Sequence, residues 1–128
     1  MLAERVSTMV PAYEKLFAER GEITPSDPLE FHLYHLARYW SRLIGFCRQD
    51  PSKPAAFIDT DLGACVQVGS EFADKLIDPS SPIHEHWQHY WKRTQAMLKE
   101  RPVTMEDVEA ASRAFEDCLA RLRYDPWG

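Results

Sequence analysis

The sequence predicts an all-α protein, a single-domain bundle of four to five helices with mostly antiparallel neighbours. Three observations carry this. Apolar residues recur at helical spacing in several separate stretches. Prolines and capping residues stand where those stretches begin. The links between them are short, which sets consecutive helices side by side and antiparallel. The chain has 128 residues, 45% of them hydrophobic. That suits one domain able to bury a core without help from a disulfide or a metal.

Ser7 and Thr8 lead to Pro11, then AYEKLFAER, then Gly21. Pro11 fits a first helical turn and Gly21 the position just past a helix end. Leu2 and Val6 extend the apolar pattern upstream, so residues 1–10 read as a candidate arm with a kink at Pro11. The second start is the sharpest. Asp27-Pro28-Leu29-Glu30 offers an acid at the N-cap, proline at the first helical position and glutamate at the third. Leu29, Leu33, Leu36, Trp40, Leu43 and Cys47 then recur at intervals of four and three, and Asp50-Pro51 closes the helix.

The turn DPSKP at 50–54 precedes a stretch in which Ile58, Leu62, Cys65, Val66, Gly69, Phe72, Ala73 and Leu76 keep the helical period. Asp59 or Thr60 would cap a later start within it. Gly63 and Gly69 weaken a helix, yet would let another helix approach closely. A strand over 64–68 is the competing reading. Asp78-Pro79-Ser80-Ser81-Pro82 forms the next turn. Ile83, Trp87, Tyr90, Thr94 and Met97 mark a helix reaching Glu100 or Arg101, and Pro102 stops it. In the last helix Thr104 caps, Asp107 completes a capping box, and Val103 stands to pack on Val108. Its stripe is Val108, Ala111, Phe115, Cys118, Leu119 and Leu122. Residues 124–128 read as a non-helical tail.

The net charge of −5 argues against direct nucleic-acid binding and against an anionic membrane surface. No apolar run is long enough to span a bilayer, and the first ten residues do not read as a signal peptide. A cytoplasmic location follows as an expectation. Cys47, Cys65 and Cys118 lie within apolar patterns, as reduced core thiols would. Cys65 invites a nucleophile reading, but no base accompanies it in sequence. No phosphate loop or hydrolase signature is present, so the expectation is a protein without enzymatic activity and without a cofactor.

Two features carry functional meaning. His32 and His35 form one His-x-x-His pair and His86 and His89 another. Residues three apart share a helix face, so neighbouring helices could bring four imidazoles to one metal. This metal-binding bundle, or small enzyme, is the alternative reading. The competing observation is an excess of aromatic and arginine residues away from the core stripes. Phe31, Tyr34, Arg38, Tyr39, Arg42 and Phe46 lie off the apolar face of the second helix, and Trp91 widens the aromatic arc of a later one. Tyr, Trp and Arg dominate interface hot spots. A helix apolar on two sides is central in its own fold or covered by a second chain. The favoured expectation is capture of a protein partner, and a homodimer.

The stretches PAYEKLFAERG, FHLYHLARYWSRLIGF and RLRYDPWG, in a small acidic helical chain, resemble the LasR-specific antiactivators of quorum sensing. The resemblance spans most of the chain in general character, without a motif to match residue by residue. It implies a regulator that binds a LuxR-type transcription factor and blocks its dimerisation or DNA binding.

Overall fold

The computed structural model describes residues 28–124, and the expected helix at 11–20, the arm and the residues after 124 lie outside them. Four long helices and one short one follow in order. They are α1 (Pro28–Gln49), α2 (Pro54–Ile58), α3 (Asp61–Leu76), α4 (His84–Lys99) and α5 (Met105–Tyr124). The described residues contain no strand, so 64–68 is helical. The bundle is all-α, as the periodicity requires.

Local chemistry sets most of the boundaries. Pro28 opens α1, and Asp50 carries the turn after it. The stretch after residue 54 is two helices, because the chain turns at Asp59 and Thr60. The Thr60 hydroxyl accepts from the Leu62 amide at 3.3 Å, capping the second. At α5 the Asp107 amide donates to Thr104 Oγ1 at 3.2 Å, and the Asp107 carboxylate accepts from the Thr104 amide at 2.9 Å. That is the reciprocal box read from the sequence. The α4 start has no side-chain cap. Ile83 is its N-cap, with no side-chain hydrogen bond, while Ser81 Oγ accepts from the Ile83 amide at 3.4 Å. The Arg101–Pro102 peptide before α5 is cis.

The long helices pack α1 on α3, α3 on α4, α4 on α5 and α5 back on α1. Cross-contacts run in opposite sequence directions, His32 with Phe72 and Cys47 with Pro54, so α1 and the α2–α3 segment are antiparallel. Asp74 meets Trp87 and Ser70 meets Tyr90, which makes α3 and α4 antiparallel too. Gly63 is required where α2 gives way to α3: a Cβ there would overlap the Ile58 carbonyl oxygen.

The core gathers around Tyr90. Its ring lies 6.2 Å from Trp40, 4.9 Å from Trp87 and 5.1 Å from Phe115, and all four side chains are fully buried. The Tyr90 hydroxyl accepts from Trp40 Nε1 at 2.8 Å and shares a hydrogen bond with Ser70 Oγ at 2.8 Å. One oxygen thus ties α1, α3 and α4 together. Burial pushes its pKa up to about 12. At the edge of the bundle, Arg48 of α1 grips both carboxylate oxygens of Glu109 of α5, at 2.9 and 2.8 Å.

Candidate functional site

The helices leave a groove between α1 and α3 on the side away from α4. Its space is about 570 Å³. From α1 come His32, His35, Leu36 and Tyr39; from α3 come Cys65, Val68, Gly69 and Phe72. The two helices approach closely at its floor, where a Cβ on Gly69 would stand 3.3 Å from a Leu36 methyl. Val68 and Phe72 are half exposed, at 49% and 50%, and Leu76 continues their line at 42%. These three residues are four apart, one ridge along the outer face of α3. His32 stacks flat on Phe72, with ring centroids 5.5 Å apart, and Lys75 Nζ lies 5.7 Å from the same ring. The walls are apolar and aromatic. Asp61 stands at one end and the histidines at the other. Such a channel offers a slot for apolar side chains rather than a constellation for bond chemistry.

The aromatic residues singled out in the sequence divide into several settings. Tyr39 is half-buried and lines the groove. Arg42 is exposed and stands three residues on, toward the same flank of α1. Phe46, 42% exposed, lies further along that flank and stacks on Phe57 of α2 at 5.8 Å. Tyr34 and Arg38 sit elsewhere on α1. Arg38 Nη1 donates to the Tyr34 hydroxyl at 3.3 Å, with its guanidinium 5.8 Å from the ring centroid. The Phe31 side chain lies outside the described ones. Around α4 the aromatic arc turns inward: Trp87 and Tyr90 are core, and Trp91 is partly buried and packed against it. Trp91 thus packs on the core with part of its surface still open.

The two histidine pairs do not converge. His32 and His35 line the α1–α3 groove. His86 Nδ1 instead faces Asp117 of α5 at 3.9 Å, and His89 Nε2 accepts from Arg93 at 3.0 Å. Among the described residues, no group of three or more His, Cys, Asp or Glu is arranged to hold a metal ion. Nor is any described helix long and apolar enough to cross a membrane.

Two expectations for α3 are corrected. Cys65 is not a core thiol: it is half-buried at the groove wall, whereas Cys47 and Cys118 are buried. Burial pushes those two thiols up to about 11 and about 12. Phe72 and Leu76, read as part of the core stripe, face solvent. The buried arc of α3 is instead Gly63, Val66, Ser70 and Ala73. Ser70 is drawn inward by its bond to Tyr90, and this turns the apolar edge outward. The seven apolar positions of α3 from Leu62 to Leu76 span only about a third of the helix circumference at ~100° per residue, so the pattern gave no signal that its Phe72–Leu76 edge would stay open.

Comparison of the chain with protein-family models, with curated proteins and with solved structures found no match.

Proposed function

We propose that this chain is a non-enzymatic protein-binding regulator that takes an apolar helix of a partner into the groove between α1 and α3. One observation supports it above the others. Val68 and Phe72 lie half exposed beside Tyr39, while Trp40, Trp87, Tyr90 and Phe115 are sunk in the core. A fold that buries its largest rings completely and leaves this ridge open has the form of a helix-in-groove receptor. Binding there occludes surface on the partner and needs no chemistry.

The resemblance to quorum-sensing antiactivators makes a LuxR-type regulator the first partner to test, with blocked dimerisation or DNA binding as the consequence and the cytoplasm as the place. Self-association belongs to the same proposal. The Phe46–Phe57 stack, beyond the end of the groove, is the apolar surface available for it. The test pairs co-expression with a LuxR-type regulator and capture from native-host extract, using the parent chain and Phe72→Glu. The expected result is one protein retained by the parent and lost from the variant, with helicity unchanged. Equal retention by both would refute the groove as the binding surface.

A further inference from the structure

We infer that a second copy of this chain covers the outer face of α3, with the two α3 helices antiparallel across a two-fold axis at Val68. The dimer does not depend on the capture of a partner. It does use the same groove, so the two contacts exclude one another.

Charge along α3 carries the inference. Asp61 and Lys75 stand seven residues to either side of Val68, and all three are exposed. Seven residues are nearly two whole turns, so the three side chains fall on one line along the helix. Both charges lie on the open face: Asp61 lines the groove, and Lys75 Nζ is 5.7 Å from the centre of the Phe72 ring. Among the described residues neither is in an ion pair. A two-fold axis at Val68 sets Asp61 of each copy beside Lys75 of the other. One face thus carries opposite charges at equal distances from its centre, as a surface that pairs with itself must.

Size agrees with the same register. Ala64 and Phe72 lie four residues to either side of Val68, both exposed and both lining the groove. The axis that pairs the charges sets each Phe72 ring on Ala64 of the second copy, beside the Tyr39 that lines the same groove. A large ring meets a small residue twice, and Val68 meets itself at the centre. Glu71, also exposed, falls opposite Cys65 of the second copy and not opposite an acid. Antiparallel pairing also brings opposite ends of the two helix dipoles together. The Phe46–Phe57 stack offers apolar surface without such a pairing of charge and size.

The contact is small. α3 has 16 residues, a length of roughly 24 Å. With the rim of α1 the strip is roughly 20 Å wide, so each copy buries on the order of 500 Å². That is the range of weak, reversible pairs, and the expected dissociation constant is on the order of 100 µM.

Sedimentation equilibrium of the full chain at low salt, with no partner present, tests the register. The parent is compared with Asp61→Lys, with Lys75→Asp, with an equimolar mixture of the two, and with the double variant Asp61→Lys/Lys75→Asp. Either single reversal sets like charges together at both ends of the contact and should weaken the dimer about tenfold. The mixture should recover the parent's affinity as a heterodimer, because each end then joins one lysine to one aspartate. The double variant should recover it as a homodimer. Circular dichroism checks that the single variants are folded, and recovery on mixing requires it.

A parent that stays monomeric at about 1 mM would overturn the inference. So would single variants that pair as the parent does, or weakened ones that neither mixing nor the double exchange restores. Phe46→Asp should leave the dimer unchanged; a dimer lost in that variant places the contact on the α1–α2 stack and overturns the axis at Val68. The receptor reading fails on separate evidence, equal partner capture by the parent and Phe72→Glu.

Discussion

Replacing Tyr90 by Phe removes a single oxygen from the centre of the bundle and leaves the ring contacts in place. That oxygen accepts from the Trp40 indole and bonds the Ser70 hydroxyl, both at 2.8 Å, in a site with no exposure. A net hydrogen bond contributes about 0.5–1.5 kcal/mol, and a buried donor left without a partner costs about 1–3 kcal/mol. Ser70 can recover by turning to a carbonyl one helical turn back. The indole of Trp40, fixed by its packing, cannot. The expected loss is therefore about 2–3 kcal/mol, dominated by the stranded indole N–H. For a chain of this size that lowers Tm by roughly 6–15 °C. Urea titration followed by helical circular dichroism gives the free energy directly. In a Trp40→Phe background, which carries its own cavity cost, Tyr90→Phe should cost less than it does alone, because the orphaned donor is gone. A Tyr90→Phe protein within about 0.5 kcal/mol of the parent would refute the assignment of this oxygen as the tie between three helices.

The same burial makes stability fall in alkali. Cys47, Cys118 and Tyr90 hold their protons in the folded state to about 11, about 12 and about 12, against ordinary values of 9.0, 9.0 and 10.0. Their contribution is complete below pH 9 and is lost as the pH climbs through 11 to 12, because the unfolded chain releases these protons first. Unfolding free energies from urea titration should drop at about 3–4 kcal/mol per pH unit near pH ~10.5, and a flat profile would contradict the burial. Gly63→Ala should cost about 1–3 kcal/mol, since its Cβ meets a backbone carbonyl that cannot move aside. Gly69→Ala should fall within about 1 kcal/mol of the parent, because the neighbour is a Leu36 methyl and alanine favours the helix. Reversal of that order in thermal melts would show that the α2–α3 junction is looser than described. Thr104→Ala should cost about 1 kcal/mol by opening the capping box of α5, read in the same melts.

Much of the fold was legible in the sequence because helix boundaries are local chemistry. Thr60, Thr104 and Asp107 cap where they stand because backbone amides two or three residues away need an acceptor. The stripes of α1, α4 and α5 were legible for a related reason: Leu33, Leu36, Trp40 and Leu43, then Trp87 and Tyr90, then Val108 and Phe115, share a face by spacing alone, and these residues are buried. An aromatic excess on the flank of α1 was visible as well, and Tyr39 and Phe46 do lie on one flank.

Which apolar face stays open was decided only by the tertiary structure. Periodicity says which residues of a helix travel together, but not which neighbour covers them. The α3 arc shows the difference. The hydroxyl of Ser70 bonds Tyr90, brought close by a different helix, and this rotates Val66 and Ala73 inward while Phe72 and Leu76 turn out. Cys65, indistinguishable by pattern from Cys47 and Cys118, ends at a groove wall for the same reason. Hydrogen bonds within a helix are written in adjacent residues. The rotation of one helix against three others is set by contacts between residues far apart in the chain, and no local pattern records it.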